Sequence, residues 1–176
     1  MNTNIEQLTE AGNLVPSGTA FDWAGAERQI EAPIPVDYQK LIDAGGDGVW
    51  FDYIRLYAPD ARYQDQNLLK APGVFNELQA FWEDGDTEPP EDWVDDDRLV
   101  VWAGTGNGER LYWRQSPNVS AEQFPVYVAD ADGDRWERFD MSATDFLVGV
   151  LTGEVRSAFF SETFLRTDRV FRRYDA

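Results

Sequence analysis

Residues 32–46, Ala-Pro-Ile-Pro-Val-Asp-Tyr-Gln-Lys-Leu-Ile-Asp-Ala-Gly-Gly, contain the start, body and stop of one short helix. Pro35 suits the first helical position, where a missing N–H costs nothing and the fixed φ is already helical. Tyr38, Leu41 and Ile42 then fall at i, i+3 and i+4, one apolar stripe to lay on a core. Gly45 and Gly46 supply a left-handed stop. Residues 49–57, Val-Trp-Phe-Asp-Tyr-Ile-Arg-Leu-Tyr, follow at once and predict one strand buried on most of both faces. Upstream, residues 21–27 predict an earlier helix with Asp22 as its cap. Together these segments predict helices packed against a sheet.

The rest of the chain extends that pattern. Residues 1–20 predict a weakly helical stretch (Ile5, Leu8) and a flexible link at Pro16-Ser17-Gly18, set apart from a single domain over 21–176. Val74, Leu78, Phe81 and Trp82 recur at i, i+4, i+7 and i+8, the face of another helix. Residues 98–103 read as a buried strand and residues 109–114 as a half-buried one, joined by Gly104-Thr105-Gly106-Asn107-Gly108. Residues 125–129 and 135–139 form a second hairpin across Asp130-Ala131-Asp132-Gly133-Asp134. Ser142 to Asp145 resembles a capping box, Phe146, Leu147, Val150 and Leu151 make the stripe behind it, and Gly153 ends the helix. In the tail, Phe164 and Phe171 pin the segment to the domain, while Arg166, Arg169, Arg172 and Arg173 pair with carboxylates such as Glu162, Asp168 and Asp175. The fold class is α+β, a mainly antiparallel sheet flanked by helices. No apolar run reaches membrane-spanning length, and the first residues lack the basic and apolar regions of a signal peptide, which predicts a cytoplasmic protein.

Two absences bound the chemistry. With no cysteine, disulfides, thiolate zinc sites and a Cys nucleophile are excluded. With no histidine, the usual general base near neutral pH and the commonest metal ligand are missing too. The glycine-rich turn lacks the Lys-Ser/Thr of a phosphate loop and leads into a strand, so no helix N-terminus faces a ligand there. In the Asp130–Asp134 turn, glycine and glutamate do not fall where a calcium loop needs them. Among 33 acidic side chains some pair always lies at a glycosidase separation, so pairing singles out none. No catalytic, cofactor-binding or metal-ligating residue is assigned.

The net charge of −18 points instead to partners. A field of that sign repels nucleic acid and anionic membranes and attracts basic proteins or metal cations, while simple solubility accounts for the charge equally well. It is concentrated in residues 83–98, where nine acids face a single base around Pro89-Pro90. Trp93 stands inside that loop. An aromatic ringed by Glu91, Asp92, Asp95, Asp96 and Asp97 has the composition of an epitope for a basic partner, the ring supplying burial and the carboxylates steering. The alternative is that Trp93 packs into the core and holds a solvated loop down. On either reading Asp95, Asp96 and Asp97 are expected to be exposed, and neutralising all three to leave folding intact.

The order of these signals resembles the SMI1/KNR4 family, the SUKH superfamily of bacterial immunity proteins and their eukaryotic relatives. Trp23 and Glu27 match its first helix, Ile34-Pro35-Val36-Asp37-Tyr38 the start of its second, and residues 139–151 its closing helix. Leu111, Tyr112 and Trp113 match the strand after its glycine-rich turn. The resemblance implies an α+β domain without catalytic residues that binds a cognate toxin, often a nuclease or deaminase, and the net charge of −18 adds the expectation that the toxin has a basic surface. It also leaves room for a regulatory scaffold of the same fold that acts without a toxin.

Overall fold

The computed structural model describes residues 3–61, 63–161 and 169–174. Glu162, Phe164, Arg166, Asp168 and Asp175, singled out above, lie outside them. Helix α1 spans Thr3–Gly12, α2 Trp23–Ile30 and α3 Val36–Gly45. Strands β1 (Gly48–Trp50) and β2 (Ile54–Leu56) lead through two 3-10 turns to α4 (Ala71–Glu83). Then come β3 (Arg98–Thr105), β4 (Arg110–Gln115), β5 (Val126–Ala129) and β6 (Trp136–Phe139). Helix α5 spans Ala143–Thr152, and β7 (Phe171–Arg173) closes the series. The seven strands make one antiparallel sheet in the order β6-β5-β4-β3-β2-β1-β7. None of the helices among the described residues is long and apolar enough to cross a membrane.

The helix signals translate almost directly. Asp22 accepts the Gly25 N–H at 2.9 Å, and Ser142 accepts the Asp145 N–H at 3.1 Å. Gly153 ends α5 in the left-handed region. At α3, Pro35 is the residue before the first turn rather than in it, and Gly46 alone takes the positive φ. Gly45 is the last helical residue, and its missing side chain serves packing instead: Leu14 lies so close that a Cβ would meet the leucine side chain at 2.8 Å. Residues 3–12, expected to be weakly helical beside a flexible link, form a docked helix. Leu8 is fully buried, α1 packs on α3 and α5, and the Asn4 amide donates to Asp145 at 2.6 Å.

Residues 49–57 are not one strand. Phe51 (φ 58°) and Asp52 (φ 53°) turn the chain back within two residues, and the Tyr53 N–H returns to the Trp50 carbonyl at 2.9 Å. An aromatic in the left-handed region costs about 1–2 kcal/mol. Burial of the Phe51 ring and its N–H bond to the Val170 carbonyl, 2.7 Å, offset that cost. The turn lacks glycine, and its β-favouring composition conceals it.

Register sorts the sheet into two faces. Val100, Trp113 and Val126 are neighbours on one face, which α3 and α5 cover. There Tyr38 meets Trp113 edge-on at 4.9 Å, Trp102 stacks on Trp113, and Phe146 bridges Trp102 and Phe139. Each such ring pair adds roughly 0.5–1.5 kcal/mol beyond its buried area. Tyr112, Tyr127 and Arg138 share the opposite face. Strand β4 is buried through Leu111, Tyr112, Trp113 and Arg114, not half-buried, because both faces are covered. On this second face α4 lays down Ala71, Phe75, Leu78 and Trp82, while Phe81 points outward instead of joining the stripe.

Candidate functional site: a pinned acidic loop

Residues 84–97 connect α4 to β3 across the second face. Pro89 and Pro90 deny the backbone two donors, and the crowded carboxylates repel one another, so no helix forms. Order comes instead from four anchors. The Glu88 N–H donates to Asp134 at 2.9 Å, and the Glu88 carbonyl accepts the Trp136 indole N–H at 2.9 Å. Trp93 packs its ring against both Phe75 and Trp82, with centroids 5.9 and 5.1 Å away, closing a trio in which Phe75 and Trp82 also touch. Asp92 and Asp97 supply the third and fourth anchors.

Arg114 organises both carboxylates. Its Nε donates to the Asp97 carboxylate at 2.5 Å, and one terminal nitrogen lies 2.9 Å from the Asp92 carboxylate. The other donates to the Asp92 carbonyl at 2.7 Å. The guanidinium also sits over the Trp93 ring, 5.2 Å from its centroid. Tyr127 accepts from Arg114 at 2.6 Å and donates to Asp92 at 2.8 Å, and Arg138 reaches Asp92 from the far side at 2.8 Å. The expectation that Asp97 is exposed is therefore corrected: Asp97 is 3% and Arg114 6% exposed.

The electrostatics follow from that geometry. Burial pushes the Asp92 carboxyl up, but the bonds from Tyr127 and Arg138 and the Arg114 charge outweigh it, and the net shift is downward. Burial and the Asp92 carboxylate raise the Tyr127 hydroxyl. For Arg114, burial works against the cation, yet its bonds to Asp97 and Tyr127 prevail and its pKa rises. Arg138 rises chiefly through its bond to Asp140. Asp92 is thus held ionised, far from the near-neutral pKa a proton-transfer group needs. With Asp140 counted, two guanidiniums face three carboxylates, so the anchoring cluster carries little of the net negative charge. The outward negative charge comes from residues that the anchors leave free of the sheet.

Of the six candidates, the structure ties Asp92, Trp93 and Asp97 to the sheet, Asp92 while still 47% exposed, and leaves Glu91, Asp95 and Asp96 in solvent. Val94 is exposed beside them. A cleft of about 800 Å³ runs between residues 88–92 and strands β5 and β6, bordered by Tyr127, Trp136, Arg135 and Arg138. Arg114, Tyr127 and Arg138 were missed from sequence. Their signal was alternation: Arg114 shares a strand face with Tyr112, and an arginine on a buried face requires a carboxylate, which the neighbouring loop holds in excess.

The other motifs resolve as turns. Residues 104–108 close the β3–β4 hairpin, with the Thr105 N–H donating to the Glu109 carbonyl at 2.9 Å. Glu109, unassigned from sequence, is buried and accepts from the Tyr53 hydroxyl. Asp130 turns its carboxylate onto the Asp134 and Arg135 N–H groups of its own hairpin. Among the described residues no group of three or more Asp or Glu is placed to hold a metal ion. No known family model, characterised protein or solved structure matches this chain.

Proposed function

We propose that this chain is an immunity protein of SUKH type, acting in the cytoplasm by binding and neutralising a basic toxin of nuclease type rather than by catalysis. The observation that supports it best is the pinned loop. A loop this acidic would otherwise sample many conformations, and ordering it on binding would consume much of the contact energy. Here Arg114, Arg138 and the Trp93 insertion have already fixed it, with Glu91, Asp95 and Asp96 turned outward. A rigid anionic surface on a protein of net charge −18 complements a nuclease groove, whose own task is to attract phosphate.

The test is affinity capture from the native lysate at low and at high salt, followed by titration of the captured protein. A single basic protein, released by salt and losing its nuclease activity at one-to-one stoichiometry, is the expected result. A blank under toxin-expressing conditions overturns the immunity reading. A captured partner without toxic activity overturns it as well, in favour of a regulatory scaffold.

A further inference from the structure

Strand β6 ends the sheet on one side, and its pairing with β5 fixes which backbone groups it turns outward. The Asp130 N–H donates to the Arg135 carbonyl at 3.0 Å, so every second residue from there, Glu137 and Phe139, exchanges bonds with β5. Trp136 and Arg138 lie between, and their N–H and C=O groups face the outer edge. Among the described residues no hydrogen bond reaches these outward groups. The acidic loop lies along the strand without pairing with it. It holds β6 by side chains, the Trp136 indole to the Glu88 carbonyl at 2.9 Å and Arg138 to Asp92 at 2.8 Å. Pro89 and Pro90 have no N–H to offer the edge. Nor do the strand's own charges guard it. Arg138 is drawn to Asp92 and Asp140, and Glu137 to the Ser157 hydroxyl and the Ala158 N–H.

The cleft beside this edge is acidic. Trp136 and Arg138 line it together with Glu88, Glu91, Asp92, Asp134 and Arg135. Both guanidiniums are already paired, Arg135 with Asp130 at 3.0 Å and Arg138 with Asp140 at 2.7 Å, so the surplus is negative. We propose that β6 receives an extended basic segment of the partner as an eighth, antiparallel strand of the sheet. This deepens the function proposed above and rests on its basic-partner reading. Partner residues opposite Trp136 and Arg138 exchange backbone bonds with them, and their side chains fall on the cleft face. The backbone bonds supply affinity and the alternation supplies selectivity. Lys or Arg stands at every second position, toward the cleft, with apolar residues between them on the face that Phe139 shares with α5. A second copy of this chain would set acidic cleft against acidic cleft, and a net charge of −18 opposes that pairing.

The probe is a peptide alternating lysine and valine, made in two N-methylated forms of identical charge and composition. One is methylated on the lysine backbone nitrogens, which face β6 in this geometry, the other on the valine backbone nitrogens, which face away. Fluorescence anisotropy at low salt should show the lysine-methylated form binding at least about tenfold more weakly. The valine-methylated form should slow amide exchange at Trp136 and Arg138 at least about tenfold. Arg138→Pro, whose ring fills the place of an outward N–H, should weaken that peptide at least about tenfold more than Arg138→Ala, which keeps the N–H. Urea midpoints check that both variants fold, and the comparison of peptides on the wild type stands without them. Equal affinity of the two peptides, with no protection at residues 136 and 138, overturns strand addition and leaves the basic-partner reading standing. Absence of binding by both at low salt overturns it too, while lysate capture decides the immunity reading separately. Protection at the same two amides in the chain alone, growing with concentration, gives the edge to a second copy and overturns it as well.

Discussion

Asp97→Asn separates an anchoring carboxylate from a solvated one more sharply than any other change in the acidic loop. It removes the charge facing a guanidinium that is only 6% exposed and that Asp97 contacts at 2.5 Å. Breaking a buried pair from one side costs about 3–5 kcal/mol. Arg114 would still hold the Asp92 carboxylate at 2.9 Å and its carbonyl at 2.7 Å, which puts the loss at the lower end, about 3 kcal/mol. For a chain of this size that lowers the thermal midpoint by roughly 6–12 °C. Asp95→Asn and Asp96→Asn, in the same loop but exposed, should each stay within about 0.5 kcal/mol of wild type. Neutralising all three is therefore not silent, and Asp97 carries the whole cost. The assay is urea unfolding followed by tryptophan fluorescence, repeated in an Arg114→Met background. There the Asp97 penalty should shrink by at least about 1 kcal/mol, since the charge it served is gone. If Asp97→Asn matches Asp95→Asn within experimental scatter, Arg114 does not pin the loop.

Three further outcomes follow from the packing and the ionisation. Phe75→Ala should cost about 3–5 kcal/mol and Phe81→Ala under about 0.5 kcal/mol in urea unfolding, because one ring is buried under Trp82 and Trp93 and the other is wet. In Gly48→Ala the new Cβ would meet the Arg172 carbonyl oxygen at 2.3 Å, so β7 should separate from β1, seen as faster amide exchange at residues 171–173. The pKa values of Asp92 and Asp130 are depressed in the fold. For Asp130, bonds from the Asp134 and Arg135 N–H groups and the Arg135 side chain overcome the upward push of burial. Their stabilisation is fully present above the ordinary carboxylate pKa of about 3.9 and is lost as pH falls through the lower folded values. Unfolding free energy measured between about pH 7 and 5 should therefore show no loss from these two groups, and the decline should begin below about 4 and shrink in Asp92→Asn.

Signals that act locally were readable in the sequence. Asp22 and Ser142 announced helix starts because a cap is a contact between near neighbours, and the turns at 104–108 and 130–134 because glycine and aspartate have few other uses there. The Phe51–Asp52 turn was hidden because residues that favour strands were bent by the surrounding fold, with Val170 supplying the acceptor from far along the chain. Phe81 was placed in the stripe because a pattern of i, i+4, i+7 cannot say where the covering layer ends. In the acidic loop, composition singled out the segment and named Asp92, Trp93 and Asp97 together with Glu91, Asp95 and Asp96, but it could not divide anchors from outward charges. That division depends on Arg114 and Arg138, which stand 17 and 41 residues after Asp97 in the chain.

The position of β7 has a consequence in time. Strands β1 to β6 are laid side by side in the order of synthesis, but the neighbour of β1 on its outer side is the last strand among the described residues, with Trp50 opposite Phe171. During translation the backbone of residues 48–50 must wait for about 120 further residues, on the order of ten seconds of ribosome travel. Through that interval the nascent sheet carries an open edge beside Trp50, the state most prone to wrong pairing. Mutual repulsion between chains of net charge −18 opposes such pairing between neighbours on a polysome.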